Sequence, residues 1–263
     1  MPTDLDVCGL VALFLFAHQD DEFGVFQQIL LERARGHRVV CAYFTTGVPS
    51  GHVSTRRDRE SVSVLRRLGV GAGDIFFAGS VLSIDDGQLA AQLPSASEWF
   101  DTWLIGFPNL ASVYVPAWEG GHPDHDALHA MIVQLIHERK VDHLTRQFPL
   151  YNGCQRFGPF FRVLFPLSAN GPVEFTTIPW SHRLRFAGYC LRYPSQIKSW
   201  IGLFPFVLLH YILRGNQALQ PVRMSRARER PHKGSLYYER RNFSSWARIR
   251  LQLTQWQTSR PAD

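Results

Sequence analysis

Leu10 to Phe16 is an unbroken apolar run that stops at the polar segment Ala17-His18-Gln19-Asp20-Asp21-Glu22. A strand that is apolar on both faces has to be buried on both, as in a parallel sheet covered by helices on each side. Arg38 to Phe44 reads as a second such strand, with shorter ones at Ile75 to Ala78 and Ser112 to Pro116 and a fifth at Val141 to Phe148. Between them, Phe23 to Arg35, Arg56 to Leu68, Ser95 to Ile105 and Ala127 to Arg139 space their apolar residues as helices do. This alternation predicts an α/β chain, a Rossmann-like three-layer sandwich with a mainly parallel central sheet.

Polar groups at the carboxyl ends of such strands stand where an open α/β sheet gathers its ligands. His18 and Asp21 are separated by two residues, so one tight turn can aim both at a single ion. Beyond Val113-Tyr114-Val115, the segment His122-Pro123-Asp124-His125 offers His125 as a third ligand. Zinc in hydrolytic sites takes about three protein ligands from His and carboxylate and keeps a position for water. Fe2+ or another divalent ion is the alternative. Asp20 is then placed to take a proton from that water, and His122 to hydrogen-bond the oxyanion or protonate the leaving group. Each segment alone reads equally as local structure. Asp20 or Asp21 can cap a helix starting near Glu22, and Pro123 with Asp124 makes a good turn. Two such sets at two strand ends favour a site.

Ala17 to Glu22 and Gly120 to His125 resemble the two signature motifs of the PIG-L/LmbE-like de-N-acetylases, zinc hydrolases that remove acetyl groups from N-acetylglucosaminyl compounds. Thr45-Thr46-Gly47, Arg57-Asp58-Arg59-Glu60 leading to Leu68-Gly69, and Asp86-Gly87-Gln88-Leu89 agree, over approximately the first 150 residues. The resemblance implies His18, Asp21 and His125 as zinc ligands, Asp20 as general base, and His122 as the histidine that stabilises the tetrahedral intermediate. It further implies that Asp124 orients His122 and that Arg57 lies near the substrate. Gln19 stands where the family usually has Pro, and Trp118-Glu119-Gly120-Gly121 where some members carry a Tyr. The reaction implied is attack of activated water on an acetamide carbonyl, giving acetate and a free amine.

The 263 residues, 45% hydrophobic and 19% charged, suffice for one large domain: a metal-binding core over 1–150 and a substrate-side extension over 151–263. Cys8, Cys41, Cys154 and Cys190 are scattered without a C-x-x-C pair and read as reduced residues of a cytoplasmic protein. Asp4 and Asp6 stand where a signal peptide would carry positive charge. Gly69-Val70-Gly71-Ala72-Gly73 follows a helix, not a strand, so no nucleotide cofactor is expected there.

Beyond residue 150, Val173 to Ile178 reads as a strand and Trp180 to Leu191 as a helix. Trp200 to Leu213 reads as a buried helix, too short and too interrupted by Pro205 to span a membrane. The alternative for it is a patch that lies on a membrane surface or holds a lipid tail. Arg223, Arg226, Arg228, Arg230, Lys233, Arg240, Arg241, Arg248 and Arg250 concentrate the charge behind the formal net +6. Such a run is either solvated surface or a seat for an anionic partner. A sugar on phosphate or lipid fits it, with peripheral membrane contact; no nucleic-acid motif accompanies it. The functional reading is therefore a metal-dependent N-deacetylase acting on an N-acetylglucosamine-type sugar carried on lipid, nucleotide or glycan. The alternatives are an amidase on another acylated amine, or an accessory protein that binds anionic lipid or nucleic acid.

Overall fold

The computed structural model describes residues 9–158 and 160–260, so Asp4, Asp6 and Cys8 lie outside the described residues. The first half runs β1 (Val11–Phe16), α1 (Phe26–Ala34), β2 (Arg38–Tyr43), α2 (Thr55–Arg67), β3 (Ile75–Phe77), a short α3 (Ala78–Leu82), α4 (Leu93–Leu104), β4 (Leu110–Pro116), α5 (Pro123–Glu138) and β5 (Thr145–Phe148). The five strands are parallel, in the order β3-β2-β1-β4-β5.

Alternation along β1 divides its side chains between two cores. Val11, Leu13 and Leu15 join α4, α5 and the chain's last helix on one face, while Ala12, Phe14 and Phe16 join α1, α2 and later helices on the other. All six are buried, the condition the apolar run imposed. Strand order turns between β1 and β4: β2 and β3 build outward on one side, β5 on the other. Such a switch point leaves a crevice beyond the strands' carboxyl ends, because the two connections depart in opposite directions.

The second half completes the sheet. After the paired β6 (Tyr151–Asn152) and β7 (Arg162–Val163) come β8 (Glu174–Thr177), α6 (Trp180–Cys190), α7 (Ile197–Leu213), β9 (Asn216–Pro221), α8 (Tyr237–Arg240) and α9 (Trp246–Ser259). Strand β9 pairs antiparallel with β5, and β8 antiparallel with β9, which makes a seven-stranded, mostly parallel sheet.

Several boundaries differ from the sequence reading, and three of them bear on the site and its surroundings. Helix α5 begins at Pro123 instead of Ala127, because proline at the first helical position gives up an N–H that would have no partner there. The fifth strand is shorter than Val141 to Phe148, since Asp142–Leu144 forms a 3-10 turn first. Helix α7 starts at Ile197, three residues before Trp200, and runs through Pro205 to Leu213.

Candidate metal centre

Both polar segments fall beside the switch point, His18 just after β1 and His122 just after β4. Asp21 builds the first turn. Its Oδ2 accepts the Ala17 and His18 N–H groups at 3.0 and 2.8 Å, which leaves Oδ1 facing His125 Nε2 at 3.1 Å. One oxygen thus caps the turn and the other is available as a ligand, so the two readings of this Asp coexist.

His18 Nδ1 lies 3.2 Å from His125 Nε2, and His18, Asp21 and His125 offer ligand atoms within 4.8 Å of one another, all three buried. Asp124 Oδ2 stands 3.1 Å from His18 Nε2, and Asp86 Oδ1 3.2 Å from the same nitrogen. With Nε2–H given to these carboxylates, the Nδ1 lone pair points at His125. Burial lowers the His18 pKa, but Asp124 and Asp86 outweigh it and hold the imidazole well above its usual value. The pocket therefore favours positive charge where the lone pairs converge. Four ligands at zinc-like bond lengths stand roughly 3.3 Å apart, close to the 3.2 Å between the two nitrogens and the 3.1 Å from His125 Nε2 to Asp21 Oδ1. Donor set, spacing and surrounding carboxylates fit a divalent ion.

Asp20 has φ 103°, a conformation that costs a non-glycine residue about 1–3 kcal/mol. Glu22 Oε2 accepts the Asp20 N–H at 2.7 Å, and Arg57 Nη2 donates to Asp20 Oδ1 at 3.1 Å. Burial pushes the Asp20 carboxyl up to about 7 while Arg57 pulls it down. Arg57 is itself buried; its Nη2 also donates to the Gln19 carbonyl and its Nη1 to the Gly47 carbonyl. Gly47 has φ +64°, and a Cβ there would collide with Gln19 and Arg57. Arg57 thus sits behind Asp20, pinning the first motif to the loop after β2.

His122 is the N-cap of α5, and its Nδ1 accepts the Asp124 N–H at 3.3 Å. Its Nε2 is 3.6 Å from Asp86, and burial together with nearby His18 pushes its pKa down to about 4. Asp124 is fully buried. Its oxygens accept from Gly87 N at 2.6 Å and Leu89 N at 3.1 Å, and its nearest imidazole is that of His18; His122 Nδ1 is 3.8 Å away. Sequence reasoning put Asp124 behind His122; the geometry puts it behind His18.

Asp86 and Tyr151 are parts of the site that sequence reasoning did not assign. Asp86 belongs to the Asp86-Gly87-Gln88-Leu89 stretch, whose following N–H groups cradle Asp124. The Tyr151 ring stacks edge-on to His125 at 5.6 Å. Tyr151 is placed by Glu119, whose Oε1 accepts from Leu150 N and Tyr151 N at 2.7 and 2.9 Å. The acidic residue in Trp118-Glu119-Gly120-Gly121 was the available signal.

Residues 13–136 match the family model PIG-L, described as GlcNAc-PI de-N-acetylase. That segment holds the whole His/Asp cluster, so the similarity to the PIG-L family covers the part of the chain that carries the candidate site. No curated protein sequence matches it. Among solved structures, it is similar to the A40926 pseudoaglycone deacetylase Dbv21, with 17% identity, TM-score 0.61 and coverage of 81% of this chain and 97% of that one. A zinc-inhibited form of teicoplanin deacetylase Orf2 superposes with TM-score 0.61 at 15% identity, over 81% of this chain and 98% of that one. N,N'-diacetylchitobiose deacetylase from Pyrococcus horikoshii gives TM-score 0.54 at 12% identity, over 86% and 88%. At these identities the likeness is one of fold.

Proposed function

We propose that this protein is a metal-dependent N-deacetylase that hydrolyses the acetamide of an N-acetylglucosamine-type sugar, carried on a lipid, nucleotide or glycan. The observation that carries the reading is the meeting of His18, Asp21 and His125, with Asp20 next in sequence to a ligand, in a chain whose matched family is described by that reaction. The similar structures include deacetylases of the A40926 pseudoaglycone, of teicoplanin and of N,N'-diacetylchitobiose, which supports removal of an acetyl group, in the last case from a sugar.

His18 Nδ1, Asp21 Oδ1 and His125 Nε2 would hold the ion, zinc by donor type. Bound there, it supplies Lewis-acid polarisation of the acetamide carbonyl and acidifies a water. Asp20, held by Arg57 and Glu22, takes the proton as the water attacks and is the nearest store from which the leaving amine regains it. His122, kept neutral by burial, hydrogen-bonds the oxygen on which negative charge develops. Asp124 fixes the tautomer of His18. The extension over 151–263 lies on the substrate side, where Tyr151 reaches His125 and the basic residues suit an anionic aglycone.

Acetate release from free, nucleotide-linked and lipid-linked N-acetylglucosamine tests the reading, with metal content measured for wild type and Asp20→Asn. Release that collapses in the variant while metal stays bound is expected. Bound metal without acetate from any compound would sink the sugar-deacetylase reading.

A further inference from the structure

Helix α7 is apolar on both sides. Trp200, Leu203, Val207 and Tyr211 are buried, whereas Ile197, Ile201, Leu209, Ile212 and Leu213 are between 49% and 72% exposed. At about 100° per residue these five fall on the half of the helix opposite the buried four. Lys198 is the one Lys, Arg, Asp or Glu in the helix. A surface helix of a globular protein normally turns a polar face outward; one that is apolar all round has a partner other than water.

The segment Pro194–Leu213 is long and apolar enough to cross a membrane, with mean hydropathy 1.3 over a window that is only 22% buried. It does not stand free as a span would. Trp200 packs edge-on to Phe23 at 5.4 Å, and the inner face of α7 is part of the sheet's second core. The geometry of a helix bound along one side and apolar along the other is that of an element lying in an interface.

A second structural element continues the face. Phe157 and Phe160, 89% and 63% exposed, line one groove with Phe206 and Leu209 of α7. The same groove carries Arg156, Arg162 and Arg214 and no acidic side chain. The surrounding sequence is equally one-sided. From His143 to Arg228 there are eleven Lys and Arg residues against a single acidic one, Glu174. Exposed aliphatic and aromatic side chains ringed by cations are complementary to anionic headgroups over acyl chains.

We propose that the outward face of α7, together with Phe157 and Phe160, docks this protein on the surface of an anionic lipid bilayer, the helix lying in the interface. The face connects to the metal centre through touching rings. Phe206 meets Phe161 at 5.3 Å, Phe161 meets Tyr151 at 6.2 Å, and Tyr151 meets His125 at 5.6 Å. Docking therefore brings the membrane surface to one wall of the site. The inference stands on exposure and charge and does not require the deacetylase reading.

Co-sedimentation of the full chain with vesicles tests it, using phosphatidylcholine alone and phosphatidylcholine mixed with phosphatidylglycerol. Wild type is expected to sediment with the anionic vesicles, to be released by salt, and to bind the neutral ones at least about tenfold more weakly. Ile201→Glu combined with Leu209→Glu changes two exposed positions, so circular dichroism and the thermal midpoint should hold. That variant should lose anionic-vesicle binding by at least about tenfold while acetate release from a soluble N-acetylated sugar is unchanged. Absence of wild-type binding to anionic vesicles, or equal binding by the variant, overturns the proposal. So does a dimer in sedimentation velocity that the variant abolishes, since a second copy would then cover the face. Vesicle binding as expected with no acetate from any compound would overturn the deacetylase reading and leave this inference standing.

Discussion

His18 Nδ1 and His125 Nε2 face each other at 3.2 Å although 107 residues separate them in sequence. Two imidazole nitrogens cannot both present lone pairs at that range without repulsion, and a proton shared between them would satisfy only one contact. A cation satisfies both, together with Asp21 Oδ1. His125→Ala is therefore expected to lower metal affinity by more than about 100-fold, since it removes a ligand and not only its support. Elemental analysis and titration calorimetry on the purified variant check this. Wild-type metal content in that variant would disprove the ligand set.

Asp124 separates two roles that look alike in sequence. Because its carboxylate sits on His18 Nε2 and not on His122, Asp124→Ala should weaken metal binding by about 10–100-fold. With metal added to saturation, most of the rate should return. If metal affinity stays at the wild-type level while the rate collapses, Asp124 works through His122 after all.

Strand β1 and the meeting of His18, Asp21 and His125 were legible because the strand and each of the two polar segments is a local pattern. An all-apolar run specifies a strand covered on both faces, and the two polar segments follow strands whose ends meet at the sheet's carboxyl edge. Strand β9, Asn216–Pro221, left no such mark. Its glutamines serve tertiary bonds: Gln217 Oε1 accepts from Gln28 N, and Gln220 Nε2 donates to the Leu167 and Gly171 carbonyls. Those partners lie far away in the chain, so neither period-2 alternation nor propensity reveals them. Asp86 and Tyr151 were hidden for a related reason, each being a single residue whose place depends on Asp124 or Glu119. In α7 the apolar sequence announced a buried helix, yet apolar composition does not say which face has a partner, and half of it is exposed.

Arg57 joins three acceptors at once: the Gln19 carbonyl, the Gly47 carbonyl and the Asp20 carboxylate. A lysine supplies one compact charge and cannot reproduce that planar fork. Arg57→Lys should cost about 2–3 kcal/mol in a urea titration, with buried carbonyls left short of donors. It should also lower kcat by more than it raises KM, because Asp20 loses its support. A rise in KM alone would instead place Arg57 on the substrate.

Glu32 gives a pH signature away from the metal centre. Its buried carboxylate accepts hydrogen bonds from Tyr114 at 2.6 Å, Gln28 at 2.9 Å and Arg35 at 2.7 Å, and it faces His37. Burial acts to raise its pKa, but the Tyr114, His37 and Gln28 contacts prevail and hold it below the ordinary 4.5. With the folded value below the unfolded one, the stabilisation is present above about pH 4.5 and is lost as pH falls through the folded pKa. Glu32→Gln should therefore be less stable than wild type by about 1–3 kcal/mol at pH 7, and the gap should narrow as pH falls below about 4.5. Urea midpoints of both proteins across that range decide it. A gap that stays constant down to pH values well below 4.5 would mean that Glu32 contributes through packing and neutral hydrogen bonds, with no part played by its charge.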